Sequence, residues 1–196
     1  MKLDPIFALA TDTIWGLACR ADDPPSVRKI FELKGRDFHQ PLVLFVADLS
    51  QAQTLQKIPG ELLSWLKLHW PGPLTLVSRS SSEKYRHCHP KTTTIGIRIP
   101  DHQSTLELLR SLKSPLAVTS LNRSGQPPVS LKKDIPGLFP ESVRQIIGDM
   151  PAQASESCVA ALEDEGMIRV LRGSLKQSEN LCSGLPERYR IVHPTP

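Results

Sequence analysis

Short apolar runs alternate with stretches of helical periodicity along this chain of 196 residues. Apolar side chains three and four residues apart predict three helices, one after Asp23, one after Pro59 and one through Leu106, Leu109 and Leu112. Runs of mostly apolar residues predict strands at 6–10, 42–46, 73–77, 94–99, 116–119, 159–162 and 168–171. Because strands and helices alternate, the pattern predicts an α/β protein.

The first predicted helix has clear start and stop signals. Asp23 is a favourable N-cap, and Pro24 suits the first helical position because proline needs no backbone hydrogen bond there. Gly35 is placed to end the helix in a left-handed conformation. Lys34 is therefore expected in the last turn of this helix, with Arg36 just beyond it.

Two other boundaries follow from local chemistry. The second helix begins near Pro59 and must stop at Trp70, because Pro71 disfavours helical backbone in the residue before it. The strands at 159–162 and 168–171 are predicted to form a hairpin around 164–166 and to be the last strands of the chain.

Length and composition predict one globular domain with a well-buried core. Hydrophobic residues make up 39% of the chain and charged residues 22%, which excludes a disordered protein. The net charge of +4 favours anionic partners. A protein that coats DNA usually has denser Lys/Arg clusters with interleaved aromatic residues, and aromatic content here is 5%. The charge is therefore compatible with nucleotide or RNA.

The cysteines predict reduced thiols rather than disulfides. They are scattered, without a Cys-x-x-Cys pair, at Cys19, Cys88, Cys158 and Cys182. The cluster at 87–89 (His-Cys-His) is a candidate zinc site, but adjacent ligands do not easily close a tetrahedron. We therefore expect no metal site, and a solvent-exposed loop at 87–89.

No targeting or membrane signal is visible. The first nine residues lack a basic segment followed by an apolar one. The longest apolar run, Leu42 to Ala47, is much too short to cross a bilayer. The expectation is a cytoplasmic protein without membrane contact.

Candidate chemistry lies at the ends of predicted strands, where ligands gather in open α/β sheets. The chain has no Walker loop, no Gly-x-Gly-x-x-Gly and no arrangement typical of a catalytic triad. Its strand ends and the loops after them carry instead hydroxyls, an amide and cations, at Thr11 to Thr13, Lys34, Arg36, Arg98, Ser120, Asn122 and Arg172. Such a set suits an anion-rich substrate. Taken singly, Arg98 or Arg172 could equally be a surface salt-bridge partner, and Ser120 a loop cap.

Five blocks in fixed order also match a known signature set, and a weaker sixth closes it. They are Ala10 to Leu17, Lys34-Gly35-Arg36 with Pro41-Leu42, Trp70 to Thr75, Thr94 to Pro100, Thr119 to Gly125, and Ser157 to Val159 with Leu171-Arg172. These blocks resemble the motifs of the YrdC-like threonylcarbamoyl-AMP synthases over about residues 5–175. The resemblance implies a single-domain, twisted, mostly open mixed sheet with flanking helices and a concave substrate cavity. It also implies a YrdC-like domain at 1–175 and a C-terminal extension at 176–196, packed on the domain or trailing from it.

The function implied by this resemblance is an adenylyl-transferring synthase. Such an enzyme, a nucleotidyltransferase, makes threonylcarbamoyl-AMP and pyrophosphate from L-threonine, bicarbonate and ATP, with Mg²⁺ carried by the ATP and no resident metal. The product feeds the threonylcarbamoyl modification of the tRNA adenosine next to the anticodon. Partner proteins that receive the adenylate, and a contact with tRNA or RNA, are implied as well.

The same resemblance assigns site residues by matched position. ATP would be held by Lys34, Arg36, Gln40, Thr94, Ser120, Asn122 and Arg172, with Lys34 and Arg36 as the catalytic cations. Threonine would be held by Thr13, Arg98 and Ser157, with Arg98 pairing with its carboxylate. The physical argument agrees, because attack on the α-phosphorus builds negative charge that preorganised cations can stabilise with little need for a general base.

Several positions depart from the family pattern and keep an alternative open. Phe45 stands where some members have histidine, Cys158 replaces a threonine, and Trp15 replaces a tyrosine. Family members also usually begin with an amphipathic helix, and only a few residues precede Ile6 here. The alternative is a non-catalytic paralogue that binds nucleotide or RNA in the same concave surface.

Overall fold

Ten short strands form one sheet in the part of the chain that the computed structural model describes, residues 3–149 and 155–193. The strands are β1 Phe7–Leu9, β2 Gly16–Arg20, β3 Val43–Phe45, β4 Leu74–Arg79, β5 Thr94–Arg98, β6 Leu116–Ser120, β7 Gln145–Ile147, β8 Cys158–Leu162, β9 Met167–Arg172 and β10 Arg190–Val192. Most of their residues are buried, as is expected of a sheet that is covered over much of its area.

Helices lie in the connections between the strands. Those in the described residues are α1 Pro24–Lys34, α2 Leu49–Leu55, α3 Leu63–His69, α4 Gln103–Leu112, α5 Ile135–Leu138 and α6 Leu175–Asn180. Short 3₁₀ turns cover Gly60–Leu62, Arg86–Cys88, Lys132–Asp134 and Asp164–Gly166. None of the helices in the described ranges is long and apolar enough to cross a membrane.

The sheet is mixed and open. Its order is β10-β9-β8-β4-β5-β3-β6-β2-β1-β7. The pairs β9–β10, β4–β8, β3–β5 and β1–β7 are parallel, and the remaining neighbours are antiparallel. The predicted fold class, a mostly open mixed α/β sheet with flanking helices, is therefore confirmed.

Helix α1 has the predicted limits. The Asp23 carboxylate accepts hydrogen bonds from the backbone N–H and the hydroxyl of Ser26, at 3.4 and 2.6 Å. Gly35 adopts a left-handed φ of 58°, and the N–H of Arg36 returns to the carbonyl of Phe31 at 2.9 Å. This ending leaves Lys34 buried in the last turn and starts a new chain direction at Arg36.

Three strands and three helices, α2, α5 and α6, went unpredicted. β2, β7 and β10 and these three helices are short, and their apolar patterns are too brief to stand out from loops. β2 contains glycine and alanine, and it is stabilised as a strand by pairing with β1 and β6 on its two sides. The prediction that β8 and β9 are the last strands is wrong, since β10 pairs parallel with β9. Their predicted hairpin is confirmed.

The expectation of a solvent loop at 87–89 is also wrong. Cys88 and His89 are fully buried, and a 3₁₀ turn covers Arg86–Cys88. His87 Nε2 makes a hydrogen bond of 2.7 Å with the carbonyl oxygen of Ala21. Burial raises the pKa of the Cys88 thiol to about 12. The His89 ring makes a hydrogen bond of 3.1 Å from Nδ1 to the carbonyl of Thr92, whereas its buried Nε2 has no partner among the described residues. These long-range and local backbone contacts were not visible in the composition.

The chain after residue 175 packs against the rest. The indole N–H of Trp65 donates to the carbonyl of Leu181 at 2.8 Å, and the hydroxyl of Tyr189 donates to Glu61 at 2.6 Å. Pairing of β10 with β9 adds backbone contacts to these side-chain bonds. The domain boundary at 175 stays a prediction, and residues 194–196 of the predicted extension lie outside the described residues.

Candidate active site

One face of the central strands forms the floor of a cavity of about 380 Å³. Side chains of a strand alternate between the two faces of a sheet, so a floor is built from every second residue. Thr75 and Val77 of β4 follow this rule, and so do Thr94, Gly96 and Arg98 of β5. A Cβ atom on Gly96 would come within 3.3 Å of the Thr75 methyl group, so the absence of a side chain at Gly96 leaves this part of the cavity open.

Seven of the ten predicted ligand residues line this cavity. They are Thr13, Arg36, Thr94, Arg98, Ser120, Ser157 and Arg172. Lys34, Gln40 and Asn122 are not among its lining residues. The topology explains the gathering, because these seven come from β5, β6, β9, the residue before β8 and the loops after β1 and α1.

Arg98, the last residue of β5, is the most constrained cation of the cavity. It is 3% exposed, so its alternative interpretation as a surface salt-bridge partner is wrong. Its Nη2 donates to Asp12 Oδ1 at 2.6 Å, its Nη1 to Thr13 Oγ1 at 2.8 Å and its Nε to the Gly72 carbonyl at 3.0 Å. The ring of Phe45 lies 5.5 Å from the guanidinium carbon. Burial lowers the pKa of Arg98, and the carboxylate of Asp12 opposes that shift.

The sequence missed the part that Asp12 plays. Its carboxylate forms the buried ion pair with Arg98 rather than only capping a turn. The turn itself is built by Thr11, whose hydroxyl donates to the Ile14 carbonyl at 2.7 Å and accepts from the Thr13 N–H at 3.0 Å. Asp12 and Arg98 are 86 positions apart, so the pairing leaves no local signal in the sequence.

Arg172 and Ser157 close one end of the cavity. Arg172 Nη2 donates to the hydroxyl of Ser157 at 3.2 Å, and its Nη1 lies 3.3 Å from a carboxylate oxygen of Glu156. The Ser157 hydroxyl is also 3.3 Å from that of Thr75. Arg172 sits at the end of β9 opposite Val159 of β8, next to an irregularity in the pairing. Its side chain is half-exposed, so it lies at the rim rather than in the core.

Arg36 faces the cavity from the loop after α1. Its Nε donates to the Gln40 carbonyl at 2.7 Å and its Nη2 to the Pro41 carbonyl at 3.1 Å. Burial lowers the pKa of Arg36, and the nearby charge of Arg172 lowers it further. Gln40 thus contributes a backbone oxygen that orients Arg36, while its side chain is exposed.

Lys34 points away from the cavity wall into the loop after β6. Its ammonium donates to the carbonyls of Ser120 and Asn122, at 2.6 and 2.9 Å, and to Asn122 Oδ1 at 2.6 Å. Burial, together with the charge of Arg36, lowers the pKa of Lys34 to about 8. A direct ligand role for Lys34 stays a prediction.

The electrostatic character of the cavity favours an anionic ligand. Three arginines and no carboxylate are among its described lining residues. Within 3–149 and 155–193, no group of three or more His, Cys, Asp or Glu side chains is arranged to hold a metal ion. The donor set is therefore that of a site for phosphate and carboxylate groups.

Other lining residues were missed for a simple reason. Thr119 and Thr92 also face the cavity, and neither was singled out from the sequence. Thr92 lies two residues before Thr94, so the alternation of strand residues could have found it. Thr119 directly precedes Ser120, so alternation alone would place it on the other face of the sheet.

Comparison with known proteins identifies the family. The model of the Sua5/YciO/YrdC family, described as "Telomere recombination", matches residues 1–174. Threonylcarbamoyl-AMP synthase of Mus musculus is 33% identical over 201 residues, covering 98% of this chain and 70% of that protein. The Pyrococcus abyssi protein of the same name is 38% identical over 123 residues, covering 62% of this chain and 36% of that protein.

A solved structure shares the fold. P. abyssi Sua5 complexed with L-threonine superposes with a TM-score of 0.80 at 30% sequence identity. The match covers 96% of this chain and 55% of the Sua5 chain, so this chain spans about half the length of that relative. On the extent of the family match, and with the sheet and its cavity in agreement, the chain belongs to the Sua5/YciO/YrdC family.

Proposed function

We propose that this chain is a threonylcarbamoyl-AMP synthase, a nucleotidyltransferase that uses L-threonine, bicarbonate and ATP. The observation that carries the proposal is the cavity lined by Arg36, Arg98 and Arg172 and by no described carboxylate. Relatives that match nearly the whole chain are named for this activity, and the P. abyssi relative has been solved with L-threonine.

The chemistry of the reaction suits a cavity of this kind. The amine of threonine forms a C–N bond with the bicarbonate carbon, and water leaves to give a carbamate. A carbamate oxygen then bonds to the α-phosphorus of ATP while the bond to the bridging oxygen breaks, which releases pyrophosphate. Negative charge grows on the phosphoryl oxygens and the leaving group, and cations already in position stabilise it.

Arg36 and Arg172 are proposed to bind the phosphates. Both arginines line the cavity, and the charge of Arg172 lowers the pKa of Arg36, which supports their action on one ligand. Two of the five N–H groups of Arg36 have backbone partners among the described residues, so three remain to donate to phosphate oxygens. Ser120 and Thr94 are proposed to add hydroxyl contacts.

Arg98 is proposed to bind the threonine carboxylate. Three of its N–H groups have partners among the described residues, which leaves one on each terminal nitrogen. The Asp12 carboxylate and the Phe45 ring hold the guanidinium in one orientation, which suits two-point recognition of a carboxylate. Thr13 and Ser157, which also line the cavity, are proposed to supply hydroxyls.

Mg²⁺ is proposed to enter as part of the substrate. The lining residues include no Asp or Glu in the described ranges, so their donor set does not fit a resident cation, and the ion would be held by the phosphates of ATP. The adenylate product is proposed to pass to tRNA-modification proteins, with tRNA contact as a further part of this proposal.

A direct assay tests the activity. The protein is incubated with labelled bicarbonate, L-threonine, ATP and Mg²⁺, and labelled threonylcarbamoyl-AMP and pyrophosphate are quantified. We expect both products in equal amounts and only when threonine is present. Binding of ATP without either product would overturn the synthase proposal and favour the non-catalytic paralogue.

A variant pair tests the threonine site. Arg98→Lys keeps a positive charge opposite Asp12 but loses the planar fork, so we expect the KM for threonine to rise about tenfold. Arg79→Lys is the matched control, since Arg79 is exposed, pairs with Asp164 and is not among the residues that line the cavity. An unchanged KM in Arg98→Lys would remove Arg98 from the threonine site.

A further inference from the structure

Two of the predicted ATP ligands lie behind the cavity wall, in contact with each other. Lys34 and Asn122 form a hydrogen-bonded pair that adjoins Ser120, which does line the cavity. We infer that Lys34 and Asn122 are positioning residues, which fix the loop that presents Ser120, and that they are not phosphate ligands. This inference rests on the proposed function and deepens it by dividing the Lys-x-Arg and Ser-x-Asn motifs into ligands and supports.

The donors of Lys34 are already used. An ammonium has three N–H groups, and three acceptors lie within 2.9 Å of Nζ. All three acceptors belong to Ser120 and Asn122, at the start of a single loop. Lys34 is 5% exposed, so a phosphate could reach it only by displacing a buried, charge-assisted hydrogen bond.

The side chain of Asn122 is engaged at both ends. Its Oδ1 accepts from Lys34 and also from the hydroxyl of Ser120, at 2.7 Å. Its Nδ2 donates to the carbonyl of Gln126. Asn122 therefore links the buried cation, the cavity-facing hydroxyl and the far side of the loop into one network.

Backbone bonds complete the loop and show what the network supports. The N–H of Leu121 donates to the Trp15 carbonyl at 2.8 Å, and the N–H of Val129 donates to the Leu121 carbonyl at 3.0 Å. Leu121 is fully buried between these bonds. Residues 121–129 form no helix or strand, and the Lys34 network ties the start of this loop to helix α1.

Arg36 differs from Lys34 although only Gly35 separates them. The left-handed conformation of Gly35 ends the helix between the two cations. Lys34 stays in the helix and faces the loop, whereas Arg36 follows the new chain direction and lines the cavity. The doublet thus supplies one internal support and one candidate ligand.

Hydrogen exchange on the full chain without substrates tests the support. We expect the amides of 121–129 to exchange at least about tenfold faster in Lys34→Met than in the parent chain. Arg36→Met, which removes an equal charge two positions away, is the matched control and should leave them within about twofold. Unchanged exchange in Lys34→Met would overturn the inference.

A second variant tests the same loop in case Lys34→Met disturbs folding. Asn122→Ala removes the side-chain amide from the loop and leaves Lys34 in place. It should speed the exchange of the same backbone amides. Protection retained in Asn122→Ala would contradict the network. Because neither comparison needs catalysis, they decide the role of Lys34 even if no adenylate is formed and the proposed function fails.

Kinetic measurements distinguish a residue that positions the loop from one that binds ATP directly. Lys34→Met should lower kcat about tenfold while the Kd for ATP changes less than about threefold, whereas Arg36→Met should raise that Kd about tenfold. If Lys34 acts through Ser120, the double variant Lys34→Met/Ser120→Ala should be no worse than the more damaged single variant. A Kd increase in Lys34→Met equal to that in Arg36→Met, or additive losses in the double variant, would make Lys34 a ligand.

Discussion

At the residue scale, each buried cation of the site is held by a different kind of partner. Arg98 pairs with a carboxylate, Arg36 with backbone carbonyls, and Lys34 with the carbonyls and amide of one loop. Burial lowers the pKa of all three, so each partner set stabilises a charge that its surroundings disfavour. The partners therefore keep these side chains charged and fixed in position.

The ion pair of Arg98 gives the first prediction. Asp12→Asn leaves the buried guanidinium without its counter-charge, so we expect the free energy of unfolding to fall by about 3 kcal/mol. For a chain of this size that loss lowers the melting temperature by about 6–12 °C. Thermal denaturation followed by circular dichroism measures it.

An exposed ion pair is the control for Asp12. Asp164 pairs with Arg79 at 3.2 Å, and both side chains are mostly exposed. Since water and salt screen such a pair, Asp164→Asn should leave the melting temperature unchanged. Equal melting temperatures for Asp12→Asn and the parent chain would mean that Arg98 does not depend on its partner.

The lowered pKa of Lys34 gives the second prediction. A free amine has only two N–H donors, so it cannot serve three acceptors, and the loop should loosen as pH rises through about 8. Arg36 is the charged group whose field acts on this ammonium, and the acceptors on Ser120 and Asn122 are uncharged. We expect the ratio of kcat in the parent chain to kcat in Lys34→Met to fall toward one above that pH.

Deprotonation of Lys34 affects folding stability and activity in opposite directions. The pKa of Lys34 is lower in the folded chain than its ordinary value, so between the two values the unfolded chain binds more protons. Folding stability from this group therefore rises with pH in that window while activity falls. A loss of activity that simply tracked a loss of melting temperature would contradict the argument.

The sequence revealed the cations but not their partners. Arg36, Arg98 and Arg172 stand in recognisable local motifs, and all three line the cavity. Asp12 went unrecognised because its partner is far away in sequence. A motif records which residues are present, whereas the contact between them depends on the path of the chain.

At the element scale, the end of α1 controls the direction in which Arg36 leaves the helix. The helix stops because Gly35 takes a φ of 58°, a conformation that disfavours residues with a Cβ atom. No atom lies within 4 Å of the place where a Cβ would be built, so the cost of a side chain there is conformational and not steric.

This turn gives the third prediction. Gly35→Ala should lower the free energy of unfolding by about 1 kcal/mol and weaken ATP binding, because Arg36 would be redirected. Gly60→Ala is the control, since its Cβ also meets nothing within 4 Å and its φ is not left-handed. We expect Gly60→Ala to change the stability by less than about 0.5 kcal/mol. Similar losses in both variants, measured by denaturant unfolding, would contradict the role of the turn.

Elements with strong local signals were predictable, and short strands were not. The limits of α1 follow from Asp23, Pro24 and Gly35, all of which act within a few residues. β2, β7 and β10 have only three to five residues each, too few for a periodic pattern. They are strands because a neighbouring strand offers hydrogen-bond partners, which is a tertiary cause.

At the scale of the whole molecule, the C-terminal residues complete one side of the sheet. β10 covers the outer edge of β9, the strand that carries Arg172. Leu181 packs in the core and accepts the hydrogen bond of the buried Trp65. The described residues after 175 therefore pack against the strand that ends at Arg172 and against the core beside Trp65.

Shortening the chain gives the fourth prediction. A chain ending at residue 175 loses β10 and uncovers Trp65, so we expect its melting temperature to fall by about 10 °C or more. We also expect weaker ATP binding, since Arg172 would lie on an edge strand. Scanning calorimetry and titration of ATP measure the two effects. A shortened chain that melts and binds like the parent chain would make 176–196 a trailing extension.

The sequence by itself determined the α/β class, the limits of α1 and the identity of the cations, because those properties depend on local periodicity, capping and motif residues. Only the tertiary structure decided which of these residues share a cavity. In the folded chain Arg36 lines the cavity and Lys34 does not. Asp12 pairs with Arg98 across 86 positions. The physical reason is that a hydrogen bond or ion pair depends on distances of about 3 Å, and the order of strands in the sheet sets those distances.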